Sequence, residues 1–249
     1  MSRRVIVASV GFTSARVLRG IFGVGFYKGD IVILVNSFPR KKEAEEAMTT
    51  LRNESEKLGL KPVELWLNPE YPFEYNVACI RALVEEYAPC NTVFLISGGL
   101  RWLAMVLIMV AVALKTIGGV LGDRTINVEK IRVELEEESE GGGEGRLETR
   151  FIDIPVIPKL ADITAEDYDL LQLIGSREYV TTGHVVKLAE SGAGWRIKEL
   201  VESSKKPRTT ISKKLQRLEK LGLVTREARG RGFIYRLTIL GKILVLKHS

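Results

Sequence analysis

Along the first half of the chain, unbroken apolar runs alternate with stretches whose apolar residues recur every three or four positions. Residues 5–12 (VIVASVGF), 30–38 (DIVILVNSF), 63–67 and 92–96 (TVFLI) are dense in β-branched residues and show no polar alternation, as strands covered on both faces require. Between them, 13–26 places Val17, Ile21 and Val24 at helical spacing. The stretch 41–58 puts Ala44, Ala47, Met48, Leu51 and Leu58 on one face and stops at Gly59, and 73–87 does the same with Val77, Ile80, Leu83 and Val84. The fourth strand runs into Ser97-Gly98-Gly99, followed by a helix over 101–117 that is apolar on every side until Lys115. Four strand–helix units in sequence predict an α/β domain: a Rossmann-like, mostly parallel sheet with right-handed crossovers and helices on both faces.

The pattern then changes. Residues 128–138 and 147–156 alternate apolar and charged positions around a glycine-rich turn (Gly141, Gly142, Gly143 and Gly145), which predicts a terminal β-hairpin at the sheet edge. Pro155 and Pro158 close this region. After a linker, Thr164 with Glu166 and Asp167 predicts a capped helix start. Further on, 182–190 and 195–203 read as helices, and Lys205-Lys206-Pro207 as a turn with Pro207 at the first position of a third helix. That helix, 208–221, buries Ile211, Leu215, Leu218 and Leu221. It presents Arg208, Thr209, Thr210, Ser212, Lys213, Gln216 and Arg217 outward. Gly222 ends it, and strands at 223–226 and 233–237 flank the tip Arg229-Gly230-Arg231-Gly232. Helices followed by a two-stranded, arginine-tipped wing predict a small winged helix-turn-helix domain.

Charge sharpens this division. The chain carries +6 overall, but 186–249 alone carries +11, leaving −5 for the rest. A basic module of this layout points to double-stranded DNA. The third helix would lie in the major groove, and Arg226, Arg229 and Arg231 would meet phosphates or a minor groove. With 249 residues, 45% hydrophobic and 27% charged, the composition is globular and suits two domains. Two cysteines (Cys79, Cys90) and two histidines (His184, His248) argue against a disulfide framework, a zinc finger or a His-based hydrolase, so no metal is expected. The apolar stretch 102–117 falls short of the roughly 20 residues that span a bilayer, and the chain start lacks a cleavage-like end. A cytoplasmic protein without membrane association is expected.

The chemistry of the first domain concerns anions. In a parallel sheet, ligands bind beyond the carboxyl ends of the strands. Gly11-Phe12-Thr13 follows the first strand, Asn36-Ser37 ends the second, and Ser97-Gly98-Gly99-Leu100-Arg101 follows the fourth. The paired glycines let backbone N–H groups approach an anion at a helix start, while Ser97 adds a hydroxyl and Arg101 a guanidinium. A tight strand-to-helix turn is the bland alternative for Gly98-Gly99. There is no G-x-x-x-x-G-K-[ST] or G-x-G-x-x-G in register and no G-x-S-x-G, so no nucleotide-cofactor or hydrolase motif is present.

A loop after the first strand, Ser-Gly-Gly-x-Arg after the fourth, a terminal hairpin and a C-terminal winged helix together resemble the archaeal CRISPR-associated transcription regulators. These join a CRISPR-associated Rossmann fold (CARF) domain to a winged helix. The resemblance implies a homodimer whose paired CARF domains form one pocket for a cyclic oligoadenylate, often the tetra-adenylate. It implies no cofactor beyond that regulatory ligand. Carried over by position, Gly11, Phe12, Thr13, Ser97, Gly98, Gly99 and Arg101 contact the ligand; Leu100 stands where such proteins usually carry Thr or Ser. The division expected is 1–157 for the ligand-binding and dimerisation domain, 158–176 for a linker and connecting helix, and 177–249 for the DNA-binding domain. The competing class is an enzyme, a ring nuclease that cuts its own cyclic ligand by in-line attack of a ribose hydroxyl.

Overall fold

The computed structural model describes residues 3–138, 147–155, 157–176, 179–182, 185–188, 194–230 and 232–246. Elements follow in the order β1 (Arg3–Ser9), α1 (Ser14–Val24), β2 (Ile31–Ser37), α2 (Lys42–Lys57), β3 (Lys61–Leu67), α3 (Phe73–Glu85), β4 (Cys90–Ile96), α4 (Arg101–Ile117), β5 (Ile126–Glu138) and β6 (Leu147–Ile154). They form a six-stranded sheet in the order β3-β2-β1-β4-β5-β6, parallel except for the β5–β6 pair. The expected α/β sheet and its edge hairpin are both observed; the glycine-rich turn between β5 and β6 lies outside the described residues.

The unbroken apolar strands work as expected, because alternate residues feed two cores. Val5 and Val7 of β1, with Ile31, Ile33 and Val35 of β2, pack against α3 and α4. Ile6 and Ala8, with Val32 and Leu34, pack against α1 and α2. All of these side chains are buried, and removing a branched aliphatic side chain from water is worth about 1.5–3 kcal/mol. Cys79 and Cys90 belong to the same core, and burial pushes their thiols up, to about 12 and 11 respectively.

The rest of the chain comprises α5 (Ala165–Gly175), β7 (Tyr179–Thr182), β8 (Val185–Leu188), β9 (Trp195–Arg196), α6 (Ile197–Ser204), α7 (Arg208–Lys220), β10 (Val224–Arg229), β11 (Gly232–Leu237) and α8 (Ile239–Val245). The expected cap is present: the Thr164 hydroxyl accepts from the Asp167 amide at 3.2 Å, and the Asp167 carboxylate accepts from the Thr164 amide at 3.0 Å. The small sheet runs β10-β11-β9, and α5, α6, α8 and β11 pack together. Helices α5 to α8 with this sheet are compatible with a winged helix.

Three expectations for this region need correction. The helix expected at 182–190 is replaced by the antiparallel pair β7–β8, in which Val180 to Thr182 and Val185 to Val186 supply β-branched residues that favour an extended chain. Part of that span lies outside the described residues. Trp195 and Arg196 pair with Tyr235 and Ile234 before the helix starts at Ile197. Pro207 is the N-cap of α7, not its first helical residue.

Helix α8 was not foreseen. Thr238 caps it, accepting from the Gly241 amide at 3.2 Å and donating to the Gly222 carbonyl at 2.6 Å. It docks against α3, α4 and α5, burying Ile243, Leu244, Val245 and Leu246. Arg81 of α3, with 1% of its side chain exposed, pairs with Glu85 and donates to the Leu246 carbonyl. The C-terminal segment is thereby fastened to the sheet domain. The same docking explains much of the apolar circumference of α4, together with the linker, whose Leu160 amide donates to Thr116 Oγ1 at 2.8 Å.

Candidate functional site

The strand order reverses direction between β1 and β4, whose residues pair from Arg3↔Cys90 to Ser9↔Ile96. The loops that follow these two strands therefore emerge side by side, at the position where parallel sheets open a crevice. They touch through backbone. A Cβ on Gly11 would lie 2.7 Å from the Gly99 nitrogen, and one on Gly99 would lie 3.0 Å from the Val10 carbonyl oxygen. Gly99 also adopts φ +92°, a conformation that L side chains rarely enter.

A cleft of about 290 Å³ opens over this contact. Of the residues proposed from sequence, Gly11, Phe12, Thr13, Asn36, Ser37, Gly98, Gly99 and Leu100 line it. Ser97 and Arg101 do not: Ser97 is buried beneath the loop and Arg101 is exposed at the first position of α4. The structure adds Arg16, Phe38, Pro39 and Lys41 to the lining. Lys41 holds its Nζ 5.6 Å from the centroid of the exposed Phe12 ring. Nothing in the sequence pointed to this, since Lys41 reads as the first residue of the charged helix over 41–58. What hid it was the loop Phe38-Pro39-Arg40, which only the fold bends towards the first strand.

The electrostatics suit an anion. The N-caps of α1 and α4, Thr13 and Leu100, make no side-chain cap, and neither first turn contains a carboxylate. Uncapped N–H groups at a positive helix end attract negative charge. Two polar groups nearby are buried with no protein partner, Asn36 Nδ2 and Ser97 Oγ. The other end of the Asn36 amide is fixed, since its Oδ1 accepts from the Ser37 amide at 2.8 Å. Unsatisfied buried polar atoms are costly in a folded chain and call for an explanation.

Of the residues expected to face DNA, Arg208, Thr209, Lys213 and Gln216 are exposed on α7, Thr210 and Ser212 are half-buried there, and Arg229 is exposed at the end of β10. Arg217 and Arg226 are engaged within the chain. Arg217 lies 3.4 Å from the Asp167 carboxylate and donates to the Asp162 carbonyl at 2.9 Å. Arg226 pairs with Glu219 at 3.0 Å, and its guanidinium sits 5.1 Å from the Phe233 ring centroid. Arg231 lies outside the described residues. Lys214, not singled out in the sequence, joins Arg217 on Asp167 at 3.3 Å and also lies 2.8 Å from Glu166.

A Rossmann-like sheet whose two glycine loops meet under uncapped helix starts is here followed by a small basic module. Residues 4–144 match the Csa3 CRISPR-associated Rossmann-like domain, and since this is more than half of the chain, the protein belongs to that family. No curated protein matches the chain. No described helix is long and apolar enough to cross a membrane.

Proposed function

We propose that the chain is a homodimeric, ligand-controlled regulator of CRISPR-associated genes, which senses a cyclic oligoadenylate, the tetra-adenylate in the first instance, and binds duplex DNA through its C-terminal module. The observation that carries this reading is the convergence of Gly11, Gly98 and Gly99 beneath the uncapped starts of α1 and α4, beside the unpartnered Asn36 and Ser97. Backbone N–H groups there meet phosphodiester oxygens without a metal.

Dimerisation completes the site. Leu100, Met105 and Ile108 are 50, 62 and 40% exposed, and with Arg101 they occupy the outer edge of α4 next to the cleft. A two-fold copy would cover this stripe and bring an Arg101 from each chain to a ring on the axis, which accounts for its place outside the single-chain cleft. Helix α4 starts at the ligand loop and also contacts α8, and α8 is capped at Thr238 against the end of α7. A change in the angle between two CARF domains would therefore reach the spacing of the two α7 helices.

The test is reciprocal binding by the full-length protein. Affinity for a duplex containing the promoter of a CRISPR-associated gene should change roughly 5- to 150-fold when cyclic tetra-adenylate saturates the protein, and DNA should change ligand affinity by the same factor. Equal affinities with and without ligand would overturn the coupled reading. Accumulation of linear adenylates during the incubation would assign a ring nuclease instead.

A further inference from the structure

The wall of the cleft formed by the β2–α2 connection contains more aromatic surface than a turn needs. Phe38 lines the ligand cleft and also a neighbouring cleft of about 250 Å³ that includes Trp66, Tyr71 and Tyr75. Between the two clefts, the Arg40 guanidinium carbon lies 5.4 Å from the Phe38 ring centroid and 4.9 Å from that of Trp66, and the two rings are 6.0 Å apart. Two of these rings are not spent on the core: Phe38 is 38% and Tyr71 40% exposed, and Arg40 is exposed with them. Together with Lys41 over Phe12, two cation–ring pairs flank one cleft. Flat aromatic faces interleaved with cations are how proteins hold single nucleotides, the rings taking bases and the cations taking phosphates.

We propose that Phe38, stiffened by Arg40 and Trp66, is a base platform on which a purine of the bound cyclic oligonucleotide stacks, directed outward from phosphates held at the glycine loops. The inference rests on the ligand reading above and adds to it the residues that read the base. Continuity argues for a nucleotide, since Phe38 and Lys41 line the same cleft as Gly98 and Gly99. Charge argues the same way, because an apolar peptide or acyl chain would leave Arg40 and Lys41 without an anionic partner. A purine offers the larger stacking face, so the platform should favour adenylate over uridylate rings.

The experiment measures affinities of the full-length protein for cyclic tetra-adenylate and cyclic tetra-uridylate by calorimetry. It compares the wild type with Phe38→Leu, Phe38→Tyr and Arg40→Ala. Leucine retains apolar volume and removes the ring, and Arg40 is exposed, so neither change threatens the fold. The wild type should prefer the adenylate ring. Phe38→Leu should weaken that ring about tenfold while leaving the uridylate ring nearly unaffected, Phe38→Tyr should retain the preference, and Arg40→Ala should weaken it severalfold. An unchanged adenylate-to-uridylate ratio in both Phe38→Leu and Arg40→Ala, or a wild type without preference, overturns the platform alone. Failure of the wild type to bind either ring overturns the ligand reading, and the platform with it.

Discussion

Two places in the molecule, the floor of the cleft and the start of α5, treat particular buried polar groups in opposite ways. At the carboxyl ends of the sheet strands, Asn36 Nδ2 and Ser97 Oγ are sealed from water without a protein partner. At the joint between α5 and α7, the carboxylate of Asp167, equally buried, accepts from the Thr164 amide and meets both Lys214 and Arg217. On the proposed reading a ligand would supply the missing bonds at the cleft, whereas the Asp167 carboxylate finds its partners within the chain.

Four variants break or sharpen that comparison, and the largest effect is expected where α8 docks on the sheet domain. Arg81→Met leaves Glu85 and the Leu246 carbonyl without their partner in a site that excludes water. Breaking a buried pair from one side costs about 3–5 kcal/mol, to be read as a lower urea midpoint of the full-length protein. A loss under about 1 kcal/mol would show that α8 is held by its apolar residues alone.

Asp167→Asn should cost about 2 kcal/mol at neutral pH, within the range for hydrogen bonds to a charged group. It should also remove an acid limb from the stability profile. Burial pushes the Asp167 carboxyl up, but the Thr164 hydrogen bonds and the Lys214 ammonium outweigh this and hold it below the ordinary 3.8. A lowered folded value means that the stabilisation is complete above the unfolded carboxylate range and is lost as pH falls below about 4. The wild type should therefore lose stability there more steeply than the Asn variant; parallel acid limbs in melts from pH 6 to 2.5 would contradict the assignment.

Ser97→Ala tests the other half and should have the opposite sign. Removing a buried hydroxyl that has no partner should raise stability by about 1 kcal/mol while weakening the cyclic tetra-adenylate complex. If stability falls instead, Ser97 serves the loop and not the ligand. The smallest change in stability, within about 0.5 kcal/mol, is expected for Arg229→Ala combined with Arg231→Ala. Their loss should appear in DNA binding, as a log–log salt slope shallower by about 2.

Strands β1 and β2 and helices α1 to α4 were legible because local pattern and tertiary role agree there: each residue position points to one of two cores. The glycine loops were legible because the sheet rule places strand ends at the ligand edge. The C-terminal end of the chain was not. The α8 sequence, ILGKILV, is short and carries Gly241 inside it, which argues against a helix when read locally. The reason for that glycine is tertiary, since a Cβ there would lie 2.1 Å from the Leu223 carbonyl oxygen. A helix was expected over 182–190, but the described residues Thr182 and Val185–Leu188 are strand, as their β-branched residues favour. Arg217 read as a DNA contact because its cation is visible in sequence, whereas the Asp167 carboxylate facing it, 50 residues earlier, is not.

The central claim is that one symmetric ring bridges two chains through the paired glycine loops, and the stoichiometry of binding tests it most directly. Calorimetric titration of cyclic tetra-adenylate into the full-length protein should saturate at one ring per two chains, and Arg101→Ala should lose most of that affinity without a lower melting temperature. Saturation at one ring per chain, or wild-type affinity in the Arg101 variant, would contradict a site shared across a two-fold axis.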